Sequence, residues 1–282
     1  MKSKRVLLIF TVFVLLSVVC CTPKSEILGG EIIKYNYCLV DDSFTLATCP
    51  IILQHKVELI TLTGVKSTQT ELFHVEGQGF QKEECHQYNG YYVYFLVLKL
   101  ENNSAGKPIN TFIEGLFLDI DGKEFYYETP DFKISNVQFL CEQEGAICSV
   151  GEVLHSGVPL LSSQIPTPKR PMEYSYIANK GVTFISLRAL DYLEITELFI
   201  DGTSIDDANS IHVDAAEDTE HTFRYHLEYV APANEDSIVR TSKILTFADG
   251  GVKKIFVSIS GYYIFPSFES YGVINNYIDT LQ

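Results

Sequence analysis

The most regular feature of this chain is an alternation of apolar and polar positions with a period of two. Short runs rich in Val, Ile, Phe, Tyr and Thr are separated by clusters of Gly, Asn, Asp and Pro. Successive side chains of a strand point to opposite faces, so this pattern predicts β-strands. It places them at about 31–40, 57–63, 91–101, 111–120, 123–128 and 132–140. A second set falls at about 173–178, 181–188, 193–200, 221–230, 238–248 and 253–264. Helical signals are few; "SLRALDYLE", 186–194, predicts one turn or two. Many strands divided by turn residues predict an all-β fold, two β-sandwich domains in a chain of this length.

The stretch 91–132 is the most informative. Tyr92, Tyr94, Leu96, Leu98 and Leu100 share one face of a strand; Tyr91, Val93, Phe95 and Val97 share the other until Lys99. A strand apolar on both faces is covered on both sides. "NNSAGKP" then turns the chain, and Asp121-Gly122 is a two-residue hairpin turn in which Gly supplies positive φ.

These residues carry a resemblance. A long apolar strand, Asn102-Asn103 with Gly106-Lys107-Pro108, a strand containing Phe117 and Asp119, then Asp121-Gly122-Lys123 and an aromatic strand follow one another. The segment resembles the immunoglobulin-like domain of bacterial surface lipoproteins, a group similar to the mycobacterial immunoprotective antigen fold. The resemblance implies an immunoglobulin-like β-sandwich with no assigned chemistry, and it brings no functional residues. It covers 91–132 and leaves 172–282 untouched.

"QIPTPKRP", 164–171, holds Pro166, Pro168 and Pro171. Proline has no amide proton and biases its neighbours to extended forms, so the segment reads as a stiff linker. The division expected is an N-terminal sandwich over 21–163, the linker 164–171 and a C-terminal sandwich over 172–282; one large sandwich with a long loop is the competing arrangement.

The N-terminus has the layout of an export signal: Lys2, Lys4 and Arg5, then the 14 apolar or uncharged residues Val6 to Val19, then a polar chain. The run is shorter than the roughly 20 residues of a spanning helix. It ends on Cys20-Cys21. The stretch looks like a relaxed bacterial lipoprotein signal, over 1–20, in which a cysteine is lipidated and becomes the new N-terminus. Cys21 is the expected site, because Cys20 before it is smaller than the Val19 that precedes Cys20. The usual Gly, Ala or Ser before the cysteine is absent, and ordinary cleavage giving a secreted protein stays as the alternative. The location implied is extracytoplasmic, on a bacterial cell membrane, with the lipid as the membrane contact.

Removing the first 20 residues leaves 18 basic residues against 36 acidic ones, a balance of −18. Such a chain is repelled by phosphate backbones, which argues against nucleic acid as a partner. An exported chain meets an oxidising compartment. Cys38 and Cys49 flank a short turn-like segment, as do Cys141 and Cys148, so both pairs are expected as disulfides, leaving Cys85 over.

Motifs that carry chemistry are missing. There is no H-E-x-x-H, P-loop or nucleophile elbow, and no C-x-x-C after the signal. Neither a cofactor nor a metal site is expected, and no catalytic residue is assigned. The seven carboxylates of 201–220 suit a calcium loop in chemistry but not in spacing, and read better as a solvated loop. His221 and His226 are five apart on a strand and so face opposite sides. Alternating aromatics read as core, although "SGYYIFPSFESYG", 260–272, could offer rings to a protein or glycan partner. The function expected is a non-catalytic binding or structural role at the cell surface. An adhesin or pilus-type subunit that exchanges strands is the second reading, and a secreted enzyme the third.

Overall fold

The computed structural model describes residues 27–41, 43–77, 85–148, 154–156, 171–258 and 268–282. The first half comprises β1 (Ile33–Leu39), β2 (Phe44–Leu53), β3 (Ile60–Lys66), β4 (Phe73–Gly77), β5 (His86–Tyr88) and β6 (Tyr91–Asn102). It continues through β7 (Asn110–Phe112), β8 (Gly115–Ile120), β9 (Lys123–Glu128), β10 (Phe132–Asn136), helix α1 (Val137–Glu144), β11 (Ile147–Cys148) and β12 (Leu154–Ser156). The second half holds β13 (Met172–Ala178), β14 (Val182–Ala189), β15 (Leu193–Ile200), β16 (Thr203–Ser204), β17 (Val213–Ala215) and β18 (Thr219–Tyr229). Then come β19 (Ile238–Thr241), β20 (Lys243–Asp249), β21 (Val252–Ser258) and helix α2 (Phe268–Thr280). The protein is all-β, as the alternation predicts.

In the first half β6 is a central strand, paired antiparallel to all ten residues of β2 on one side and to β4 and β5 on the other. Its even face is buried, with Leu98 and Leu100 fully inaccessible. Each such side chain contributes about 1.5–3 kcal/mol. Its odd face is apolar because α2 covers it: the Phe95 and Tyr271 rings meet at 5.7 Å, and Ile274 and Ile278 are fully buried in the first-half core. The β8–β9 hairpin turns at Asp121-Gly122, with φ of 50° and 81°, the positive-φ turn the sequence predicts.

Two five-stranded sheets built mainly from the second half face each other, ordered β12-β13-β18-β15-β16 and β11-β21-β20-β14-β17, with β11 and β12 supplied by the first half. Tyr176 and Phe223 from one sheet meet Phe184, Leu245 and Phe247 from the other in a buried core. The Phe184 and Phe223 rings sit edge to face at 5.1 Å.

The two halves exchange strands. β1 lies between β10 and β19, parallel to both, with Ile33 opposite Ile238. β11 pairs with β21, Cys148 opposite Ile255. Asp191 accepts from Lys133 Nζ at 2.9 Å and Asn36 Nδ2 at 3.1 Å; Glu144 pairs with Arg188 at 2.8 Å and Lys253 at 2.9 Å. The hydrogen bond from Lys253 holds the Glu144 carboxyl below its usual range. Of the linker, only Pro171 is among the described residues; separate folding of the halves stays a proposal, tested below.

Four expectations are corrected. The strand at 111–120 is two strands in different sheets, β7 and β8. The strand at 132–140 stops at Asn136, whose side chain caps α1 by accepting from Phe139 N at 3.0 Å, and Gly145 ends the helix at φ 59°. The helical turn at 186–194 is not present: β14 runs through Ala189 and β15 starts at Leu193. The strand at 238–248 is two strands in different sheets, β19 and β20, broken at Ser242.

Candidate functional site

The outer face of β13, β15 and β18 carries an open cavity of about 530 Å³. Its lining follows from strand alternation. Along β18, His221, Phe223, Tyr225 and Leu227 turn inward, so Thr222, Arg224 and His226 turn outward. Glu173 lies opposite Arg224 on β13, and Phe199 lies opposite it on β15. A bulge between Thr196 and Phe199 brings Glu197, at φ 48°, beside His226. An extra residue in one strand re-aims a side chain in this way. The Glu197 carboxylate is 3.7 Å from His226 Nε2.

These residues make a mixed site: two carboxylates, a guanidinium, an imidazole and an aromatic floor. Among the described residues Arg224 has no ion-pair partner, although the chain is strongly acidic. Thr222 supplies the one hydroxyl of the lining. Its backbone N–H donates to Asp201 at 2.8 Å, and no base is hydrogen-bonded to its hydroxyl. The arrangement offers donors and acceptors at close range and no activated nucleophile.

The remaining candidates from the sequence fall elsewhere. His221 is buried on the opposite face, with Nδ1 2.7 Å from Asp201. The carboxylates of 201–220 do not converge. Asp201 and Gly202 form a hairpin turn between β15 and β16, Asp207 accepts from Asn209 N at 2.8 Å, and Asp214 accepts from Thr183 at 2.6 Å. Among the described residues no group of three His, Cys, Asp or Glu is placed to hold a metal ion. Cys21 lies outside the described residues. Cys38, Cys49, Cys85, Cys141 and Cys148 are all free thiols. Cys38 and Cys49 lie on strands of different sheets and in separate core clusters.

Two surface features escaped the sequence reading. On the β3-β8-β9 sheet Phe117 and Tyr126 are 43% and 38% exposed, their rings 5.3 Å apart. A methyl group at Gly115 would lie 2.5 Å from the Tyr126 ring, so glycine lets that ring lie flat on the sheet. The other feature is internal. Lys243 is 3% exposed, and its Nζ lies 3.3 Å from the centre of the Tyr174 ring and 5.7 Å from that of Tyr225. It finds no hydrogen-bond partner among the described residues. Burial pushes its amine well below the ordinary lysine range. Of the 260–272 aromatics, Tyr271 packs inward on His86 at 4.3 Å, and 260–267 lie outside the described residues.

No protein-family model matches the chain, and no curated protein matches it. Among solved structures it is similar to the chaperone–tip adhesion subunit pre-assembly complex of Acinetobacter baumannii Csu pili. Identity is 10% and the TM-score 0.19, over 83% of this chain and 97% of that one. It is similar also to an immunoglobulin tandem of titin, at 8% identity and a TM-score of 0.18 over 83% and 92%. A membrane anchored protein from Corynebacterium diphtheriae matches at 9% and 0.18 over 83% and 52%. Likeness of this degree carries no argument about ligand or activity. The sheets and the site define the class: an all-β protein of packed, mostly antiparallel sheets with an open, polar, mixed-charge concavity on one face.

Proposed function

We propose that this is an exported, lipid-anchored cell-surface protein with a non-catalytic role, and that it binds a neutral polar ligand, a short glycan, at the Arg224 concavity. The observation that supports the ligand is the lining itself. Glu173 and Glu197 against Arg224 leave a net of only one negative charge, which disfavours an anion and suits hydroxyl groups that can both donate and accept. Phe199 gives the apolar side of a sugar ring a surface to rest on. His226 and Glu197, 3.7 Å apart, add a donor and an acceptor side by side.

The test is an array of immobilised oligosaccharides, followed by calorimetry on any binder. Arg224→Ala, an exposed change, should weaken binding at least tenfold, about 1.4 kcal/mol, and leave thermal stability unchanged. Equal affinity in the variant would move the ligand elsewhere; no glycan bound at millimolar concentration would remove this ligand class. The anchor has its own test. Cys21→Ala should abolish incorporation of labelled fatty acid in a bacterial host. Labelling that persists there and is lost in Cys20→Ala would shift the site by one residue, and a wholly soluble wild-type product would remove the anchor.

A further inference from the structure

Cys38 comes together with Cys141 and Cys148, distant from it in sequence, where the halves meet. Cys38 is the penultimate residue of β1, Cys141 is on α1 and Cys148 is on β11; all three sit in one apolar cluster with Ile244 and Ile255 of the second half. β11 packs against α1, which brings Cys148 onto the helix that carries Cys141. Cys148 Sγ also reaches Val137 O at 3.6 Å and Gln138 Oε1 at 3.7 Å. Cys38 lies within electrostatic reach of both partners, and burial pushes its thiol up. Among the described residues the other two thiols are remote: Cys49 is in the first-half core, and Cys85 lies beside Tyr94.

We propose that Cys38, Cys141 and Cys148 form a disulfide site in which Cys141 and Cys148 join first and Cys38 is the reserve partner. Cys148 is the half-buried member, so it is the entry point. The oxidant is an external disulfide, of a small thiol or an oxidoreductase. The Cys148 thiolate attacks it and expels one thiol; Cys141 then attacks Cys148 Sγ and expels the second. Two S–H bonds of the protein and one S–S bond of the oxidant become one S–S bond and two external thiols. With Cys148 missing or blocked, Cys38 takes its place, and the link then ties β1 to α1. The compartment that drives this rests on the export reading, but the thiol geometry does not.

The experiment oxidises the purified, reduced full chain under native conditions with oxidised glutathione. Free thiols are then alkylated and the peptides mapped without reductant. The expected product has lost two hydrogen atoms and carries a Cys141–Cys148 bond, with Cys38 alkylated only after unfolding. In Cys148→Ser the bond should move to Cys38–Cys141. A linkage to any cysteine outside the trio, Cys38–Cys49 included, would overturn the proposal. Glutathione kept on Cys148 with no internal bond would do the same. Absence of a bond in Cys148→Ser would remove the role of Cys38. Because the oxidation is done on pure protein, its outcome is independent of export; the same map on protein recovered from the cell surface reports the compartment.

Discussion

Replacing Lys243 by methionine should stabilise the protein at neutral pH. The amine is 3% exposed, and burial lowers its pKa well below the usual range. In the unfolded chain it binds a proton up to about pH 10.4. Folding must therefore either release that proton or bury the charge. Where the folded form is neutral, release costs about 1.4 kcal/mol for each unit between solution pH and 10.4. The Tyr174 ring, 3.3 Å from Nζ, returns about 2 kcal/mol, and only to the charged form. Methionine fills nearly the same volume with no group to desolvate. A buried charge replaced by a packed apolar side chain gains up to about 4 kcal/mol, and we expect about 1–3 kcal/mol here. At a few degrees per kcal/mol for a chain of this size, the melting temperature should rise by several degrees. The sign of the pH dependence is fixed by the direction of the shift. The unfolded chain binds more protons than the folded one between the lowered folded pKa and 10.4, so wild-type stability rises with pH across that window. Urea midpoints of wild type and Lys243→Met, measured from pH 6 to 9, should differ most at low pH and converge as pH rises. A variant less stable than wild type at pH 7, or a gap that does not change with pH, would refute the reasoning.

Three further outcomes follow from packing. Asn136→Ala removes the α1 cap and the acceptor for Ile109 N, at 3.0 and 2.9 Å, and should cost about 2 kcal/mol, read as a lower urea midpoint. Gly30→Ala places a methyl group 1.7 Å from the Glu128 carbonyl oxygen, a backbone atom, and should cost about 3 kcal/mol in the same assay. Residues 172–282 expressed alone retain the aromatic second-half core, so they should unfold cooperatively, but α2 loses the surface it docks on and should show little helical circular dichroism. A non-cooperative product would mean that the halves share one core.

The fold was legible where one period dominated and the partner surface was a sheet. The β6 alternation gave a strand covered on both faces, and Asp121-Gly122 gave its turn. It was not legible where local signals conflicted. Helix α2 carries Tyr271, Ile274, Tyr277 and Ile278 at helical spacing, but Gly272 and Asn275-Asn276 interrupt the pattern, and the preceding aromatics resemble a strand. Asn136 is the cap that separates β10 from α1, yet Val137 to Leu140 continue the apolar run that precedes it. Ser242 breaks a run that reads as one strand. Its Oγ accepts from Cys38 N at 2.8 Å and its N–H donates to Asn36 O at 3.0 Å, bonds to the other half that no local rule anticipates.

The concavity was invisible for a related reason. Parity alone puts Arg224 and His226 outward and His221 inward, and that much follows from the alternation along β18. What joins Arg224 to Glu173 and Phe199 is the register of three strands, and register is set by the whole core rather than by any one strand. Glu197 needs more still. It reaches His226 only because the bulge at Thr196 changes the parity of β15, sending Leu198 and Ile200 inward where Leu193 and Ile195 had been. The same logic misplaced Cys38. Eleven positions separate it from Cys49, and spacing alone favours a local pair. The chain instead changes sheet between β1 and β2, and Cys38 turns to the junction where Cys141 and Cys148 wait. Short sequence distance implies contact only when the two strands it connects are partners, and here they are not.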